Sequence, residues 1–380
     1  MAGPLDGIAV VEFAGLGPAP FCGMVLADMG ADVIRIDRAT GVVGGHTSAT
    51  RHDFHNRGKR SVAIDLKKVE GAAVALDLVE RADVLIEGFR PGVAERLAVG
   101  PAQCLARNPA LVFGRVTGWG QDGPYAASAG HDIDYIALSG ALAAIGPVDR
   151  PLPPLNLVGD FGGGGMLLAV GVLAALISAR ESGVGQIVDA AMVDGSALLT
   201  TSIHGLIAEG AWTTERDANF LDGGAPFYSI YRTSDGRYVA VGAIEPQFFA
   251  ALLAGLDIDA DSISPQSDRT GWPEMRRRFS EILGRRTRDE WEKHFMGHDA
   301  CVAPVLTMSE APEHSHNKER GTFIGGPDAV QPAPAPRFSS TTTGTPLDPS
   351  YPGRDTEQVL VALGYSSERI GMLRKFGAVA

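Results

Sequence analysis

Short apolar runs alternate with helix-patterned stretches over the first part of the chain. Residues 8–13 are apolar and β-branched and stop at Gly15 and Gly17; residues 21–29 then carry helical apolar spacing. Residues 32–36, 61–66, 83–87 and 111–117 repeat the strand pattern, and helices are predicted over 69–81, 93–97 and 102–107. Strands that alternate with helices pair in parallel, because each crossover returns the chain to the same end of the sheet. The pattern predicts an α/β fold with a Rossmann-like, doubly wound large domain. Such a sheet binds ligands beyond the carboxyl ends of its strands.

Further along, residues 131–144 read as a helix and 147–154 as a proline-rich loop. Asp160 precedes the glycine run 162–165, which opens an apolar helix over 166–180. A strand within 186–194 and a connecting helix over 196–209 follow. The character changes near Leu221. Residues 228–232 and 237–243 form a predicted hairpin around Ser234-Asp235-Gly236, and helices are predicted over 247–255, 272–284 and 288–296. This divides the chain into a large domain (1–195), a linker helix (196–220), a smaller α+β domain (221–315), and a return linker and tail (316–380). The stretch 327–352, rich in Pro, Thr and Ser, is predicted to be mostly extended and to lie on the large domain.

The formal charge of −12 disfavours a nucleic-acid partner, which needs a basic face. It leaves room for a small anion held by a local arginine cluster. Three scattered cysteines suit a reducing compartment and supply no disulfide framework or zinc site. The start lacks a signal-peptide pattern, the end lacks a peroxisomal address, and the longest apolar stretch, 166–178, is shorter than the roughly 20 residues that span a bilayer. The expectation is a cytoplasmic protein without a membrane partner.

Gly15-x-Gly17 followed by Asp37 imitates a dinucleotide fingerprint, but Pro20 occupies the place of the third glycine. A strand-to-helix turn with proline opening the helix is the preferred reading. Arg35, Arg38, Arg90 and Arg96 fall at or near predicted strand ends, where guanidinium forks suit phosphate; any one of them alone reads as a solvated surface arginine. His46, His52 and His55 lack a recognised ligand spacing, and no metal is expected. His131 stands at a helix start in Gly130-His131-Asp132-Ile133-Asp134-Tyr135, and Asp160 at the mouth of the glycine run. Each alone reads as a structural histidine or a helix cap. Together they supply a group that exchanges protons near neutral pH and a carboxyl whose pKa burial raises. The glycine amides are expected to hold a developing oxyanion. These are the parts for removing a proton beside a carbonyl. Glu245, before Pro246, is either a third acid/base candidate or a helix-start carboxylate.

The segments Gly30-Ala31-Asp32-Val33-Ile34-Arg35-Ile36-Asp37, Glu87-Gly88-Phe89-Arg90-Pro91-Gly92, Thr117-Gly118-Trp119-Gly120 and Gly123-Pro124 resemble the family III CoA-transferase and acyl-CoA racemase (CaiB/BaiF) superfamily. Gly130-His131-Asp132-Ile133, Asn156-Leu157-Val158-Gly159-Asp160, Val188-Asp189-Ala190-Ala191-Met192-Val193-Asp194-Gly195 and Leu221-Asp222-Gly223-Gly224-Ala225-Pro226 resemble its α-methylacyl-CoA racemase branch. The likeness covers nearly the whole chain and is weakest after Pro336. It implies an interlocked homodimer with His131 and Asp160 as the two bases and Glu245 of a partner chain orienting His131. It implies a CoA site at Arg38, Ile64, Asp65, Leu66, Lys67, Gly88, Phe89, Arg90, Arg96, Gly130, Asp132, Ile133, Asp134 and Tyr135. Asp134 departs from the asparagine of the branch, which puts the pH optimum in question. The activity implied is racemisation at C2 of 2-methylacyl-CoA thioesters without a separate cofactor. The alternatives are CoA transfer with Asp160 as nucleophile and a non-catalytic acyl-CoA sensor.

Overall fold

Six strands form one parallel sheet in the order β3-β2-β1-β4-β5-β6. They are β1 Ala9–Phe13, β2 Asp32–Asp37, β3 Arg60–Ala63, β4 Val84–Glu87, β5 Val112–Thr117 and β6 Gln186–Ala191. The computed structural model describes residues 3–39, 52–326 and 329–380; His46 lies outside them. β4 and β5 are buried along their whole length, as central parallel strands covered on both faces must be. One face packs on helices Pro18–Asp28 and Leu167–Ser182, through Leu26, Leu168 and Val172. The other packs on helix Val69–Val79 and the C-terminal helices Thr356–Ala362 and Ser367–Lys375, through Val74, Leu360 and Ile370. The strand order reverses between β1 and β4, the crevice where sheets of this type take ligands.

The expected strands all occur, with ends shifted by a few residues, since periodicity locates an element better than its ends. β6 stops at Ala191 because Met192 starts a helix, Met192–Leu199. The single connecting helix expected over 196–209 is instead two, the second being Thr201–Ala208. The two C-terminal helices were not expected. They lie beyond the extended tail and carry only a few apolar residues each, which bury Val359, Leu360, Ile370 and Leu373.

The tail also closes the free edge of β3. The Ser61 N–H donates to the Asp355 carboxylate at 2.8 Å, the Ala63 N–H to Thr356 Oγ1 at 3.0 Å, and the Gly58 N–H to the Leu347 carbonyl at 2.9 Å. An unpaired strand edge is a template for aggregation, and these bonds occupy it. Arg35 serves the same join. It is buried, pairs with Asp37 at 2.8 Å, and donates to the Ser350 carbonyl at 3.1 Å. Its inclusion among the phosphate-binding candidates is therefore corrected. An even row of charge along β2 does not reveal which side chain faces inward. Asp37 also accepts from Ser61 Oγ at 2.6 Å, which engages the carboxylate that a dinucleotide fold would offer to ribose.

The glycine run is not a loop opening a helix. Residues Leu157–Met166 form a π-helix that continues directly into Leu167–Ser182. The resulting run, Leu157–Ser182, is long and apolar enough by length and composition to cross a membrane, unlike the stretch read from sequence. Leu168, Ala169, Val172, Ala175, Leu176 and Ala179 on it are buried in the sheet-facing core. Glycine in a helix is entropically costly; here close approach requires it. A Cβ on Gly163 would lie 2.7 Å from the Ser196 nitrogen, one on Gly195 1.9 Å from the Gly163 carbonyl oxygen, and one on Gly165 2.7 Å from Phe21 Cδ1.

A second compact unit comprises residues 142–153 and 201–323, the first taking the remainder. The predicted hairpin is present as β7 Tyr228–Arg232 and β8 Tyr238–Gly242, and a short β9, Val302–Pro304, adds to β8. Helices Pro246–Gly255, Trp272–Leu283 and Arg288–Phe295 pack Leu252, Phe279 and Trp291 against this sheet. Residues 142–153 belong to this unit rather than the large domain. The Arg216 guanidinium holds them through the Ala143, Pro147 and Val148 carbonyls.

Gly195→Ala is expected to cost about 1–3 kcal/mol by overpacking, read as a lower midpoint in urea unfolding. It should also cost activity in the fraction that remains folded, because the strand of backbone it displaces carries Asp160.

Candidate active site

His131 is the N-cap of helix Asp132–Leu138, with an extended backbone, and it is exposed. The capping bond comes from Asp134, whose Oδ2 accepts the His131 N–H at 2.9 Å. Asp132, one residue further, is buried. Its Oδ1 accepts the Asp160 N–H at 2.7 Å, while its Oδ2 is buried without a hydrogen-bond partner. One side chain thus ties the start of the His131 helix to the backbone of Asp160. Gly159 makes room for it, since a Cβ there would lie 2.5 Å from Asp132 Oδ1.

Asp160 is half-buried in the first turn of the π-helix. Burial raises its pKa above the usual aspartate range. The Asn156 amide, which donates to Oδ2 at 3.1 Å, pulls it down; the Asp132 carboxylate pushes it up; His131 pulls it down. The charge of His131 therefore reaches Asp160. Gly17, with φ 69°, caps the helix that Pro18 opens, as expected of that turn. Its lack of a side chain has a second cause: a Cβ would stand 3.2 Å from Asp160 Oδ2.

The amides of Gly162, Gly163, Gly164 and Gly165 do not form the expected oxyanion hole. In a π-helix each amide bonds the carbonyl five residues back, so these donors are engaged internally. First-turn amides lack such partners; beside His131 these are the N–H groups of Asp132 and Ile133.

Two cavities flank the switch point. One, of about 470 Å³, is lined by Arg38, Ile64, Asp65, Leu66, Lys67, Phe89 and Arg96, together with Ala14, Val93 and Leu97. The second, about 370 Å³, is lined by Gly88, Phe89, Arg90, Gly130 and Tyr135, with Trp119 and Met192. Phe89 borders both, stacked on Phe13 at 5.4 Å. Tyr135 packs edge-on against Trp119 at 4.8 Å, donates to the Gly130 carbonyl, and has its pKa pushed up to about 12 by burial, with Asp160 and Asp134 adding to it. Of the CoA residues suggested by resemblance, Asp132, Ile133 and Asp134 line neither cavity: the Asp132 carboxylate is taken by the Asp160 amide, Ile133 is exposed, and Asp134 caps the His131 N–H. Glu245 caps helix Pro246–Gly255 in the second unit and is exposed. His55 packs against Phe21 and Phe161, and burial lowers its pKa. Among the described residues no group of three His, Cys, Asp or Glu is placed to hold a metal ion.

Sequence reasoning missed the side-chain role of Asp132, and with it Asn156 and Gly17. A buried carboxylate four residues before Ile136 carries no periodic signal; the only clue was its place between two acid/base candidates.

A six-stranded parallel sheet of this order, with arginine-lined cavities at the carboxyl ends of its strands, defines an α/β protein of the doubly wound class. The chain belongs to CoA-transferase family III, which it matches over residues 5–356. It is 47% identical over 370 residues to the α-methylacyl-CoA racemase of Mus musculus, covering 96% of this chain and 95% of that one. It is 46% identical over 378 residues to the α-methylacyl-CoA racemase of Homo sapiens, covering 97% and 96%. Its fold matches the crystal structure of a CaiB/BaiF family protein from Brucella suis with a TM-score of 0.79 at 25% identity, over 96% of this chain and 100% of that one.

Asp132→Asn keeps an oxygen for the Asp160 amide and removes the charge. Asp160's pKa should fall. The pH–rate limb that titrates with Asp160 should then move to lower pH: the falling limb where Asp160 must start protonated, the rising limb where it must start ionised. Asn156→Ala removes the stabilising donor and should move the same limbs to higher pH. Rates for each enantiomer measured against pH check both.

Proposed function

We propose that the chain racemises the C2 centre of 2-methylacyl-CoA thioesters by two-base proton transfer through an enolate. Kinship with two racemases supports the activity. The observation that carries the mechanism is the Asp132 link, which sets Asp160 and the His131 helix against one another while their charges interact. One base removes the C2 proton and the other returns a proton to the opposite face. The thioester acidifies that proton, so no redox group or metal enters the scheme. The first-turn amides of Asp132 and Ile133 are the donors available to the enolate oxygen. A raised Asp160 pKa suits the role, since a carboxyl that holds its proton nearer neutrality can deliver it.

CoA is assigned to the two cavities. Arg38, Lys67 and Arg96, which have no carboxylate partner among the described residues, take the nucleotide phosphates. The pantetheine arm passes Gly88, Phe89 and Arg90 toward Gly130 and Tyr135. A second copy of the chain completes the assembly, its Glu245 orienting His131. Leu157, Met166, Val170, Ile177 and Ile187, exposed on one unit, supply apolar surface for such an interface.

Deuterium from solvent should enter C2 of a single enantiomer as optical activity decays, followed by proton NMR. His131→Ala and Asp160→Ala should each slow racemisation by about 10²–10⁴-fold, and the double variant should not exchange C2 at all. Exchange that persists in the double variant would sink the mechanism. Hydroxylamine trapping of an acyl hydroxamate on Asp160 would instead support CoA transfer. Arg96→Ala should raise KM by about tenfold with little change in kcat.

A further inference from the structure

The match to CoA-transferase family III ends at residue 356, yet the residues beyond it bond to the turn that lines the cavity assigned to CoA. After helices Thr356–Ala362 and Ser367–Lys375 the chain runs back, extended, along the end of β3. Val379 pairs with Ile64 in an antiparallel bridge. The Ala380 N–H donates to the Ala63 carbonyl at 3.1 Å, and the Asp65 N–H donates to the Ala378 carbonyl at 2.9 Å. The Lys68 ammonium donates to the Phe376 carbonyl. Ala378 and Val379 are 0% and 2% exposed, so the segment is packed into the core and not merely laid on it.

These bonds all fall on the stretch 63–68, the turn from β3 into helix Val69–Val79. Ile64, Asp65, Leu66 and Lys67 of that turn line the 470 Å³ cavity with Arg38 and Arg96. The turn has two internal restraints of its own, both on Asp65: the Lys67 N–H on its Oδ1 at 3.0 Å and the Lys68 N–H on its carbonyl at 3.1 Å. The far end of the same helix is tied to the same tail: the Arg81 guanidinium donates to the Ala362 and Leu363 carbonyls at 2.9 Å each, and the Tyr365 hydroxyl to Asp77. The tail therefore holds the far end of this helix and the turn leading into it, whose residues 64–67 form a cavity wall.

We propose that residues 376–380 are a positioning strap for CoA recognition, holding the 64–68 turn in the shape that receives the nucleotide end of the ligand. The inference rests on the reading of this cavity as the nucleotide site. The strap touches neither His131 nor Asp160, so its effect falls on ester binding and leaves the proton-transfer step alone. Binding energy from a remote part of a substrate depends on a preformed wall; a turn that must be ordered on binding costs affinity.

The test compares the full chain, a chain ending at Lys375, and Lys68→Met, each with a 2-methylacyl-CoA and with the matching 2-methylacyl-pantetheine thioester, which lacks the nucleotide. The shortened chain is expected to raise KM for the CoA ester by about tenfold, with kcat within about twofold, and to leave KM for the pantetheine ester unchanged. Lys68→Met deletes a single bond and keeps Ala378 and Val379 in place; it should give a smaller rise of about threefold, again for the CoA ester alone. If the shortened chain does not fold, Lys68→Met decides. An unchanged KM for the CoA ester, or equal losses on both esters, overturns the strap. A full chain that shows no preference for the CoA ester over the pantetheine ester removes the nucleotide site itself, and the strap with it.

Discussion

The contact on which this molecule turns is a backbone-to-backbone approach. The π-helix Leu157–Met166 and helix Met192–Leu199 meet at Gly163 and Gly195, where neither residue has room for a Cβ. Gly165 lets the same π-helix press onto Phe21 of helix Pro18–Asp28. Three segments of the chain are thus locked together in the space that the missing glycine side chains leave. The wider π turn, which is common at functional sites, puts Asp160 on the first turn of this block, facing Gly17. Glycine elsewhere loosens a chain; here it permits a packing too close for any other residue.

Around that block the electrostatics are arranged in opposition. Burial and Asp132 favour the protonated form of Asp160, while Asn156 and His131 favour the ionised form. The balance leaves its pKa above the usual aspartate range. A deeper pair shows the contrast. Lys59 and Glu12, both fully buried and 2.6 Å apart, lie under the same helix, with Lys59 also donating to the Pro20 carbonyl. Burial pushes the Glu12 pKa up and that of Lys59 down, and their mutual attraction opposes both shifts. Fully buried, that pair is structural; Asp160 is only half-buried.

The parallel sheet and its helices were legible because each element buries a repeating apolar face, and a repeat of that kind is written in the order of residues. The cavity residues Arg38, Lys67, Phe89 and Arg96 were legible through motif resemblance, and the ends of β2, β3 and β4 bring them to one wall. Arg35 shows the limit. It stands three residues before Arg38, yet is turned into the sheet to bind Asp37 and Ser350. Which of two neighbouring cations meets solvent depends on the partner strand and the tail, and neither is local.

The amino-acid order by itself determined the α/β class, the family, and the pairing of His131 with Asp160 as candidates. Only the tertiary structure decided that the glycine run is π-helical, that its amides are engaged, that Asp132 binds the Asp160 backbone, and that the C-terminal tail holds the 64–68 turn. The reason is physical. Periodicity and motif report what a residue does with its neighbours in sequence, whereas a missing Cβ, an unpaired carboxylate oxygen or a bridging carbonyl acquires meaning only from atoms that folding brings from elsewhere in the chain.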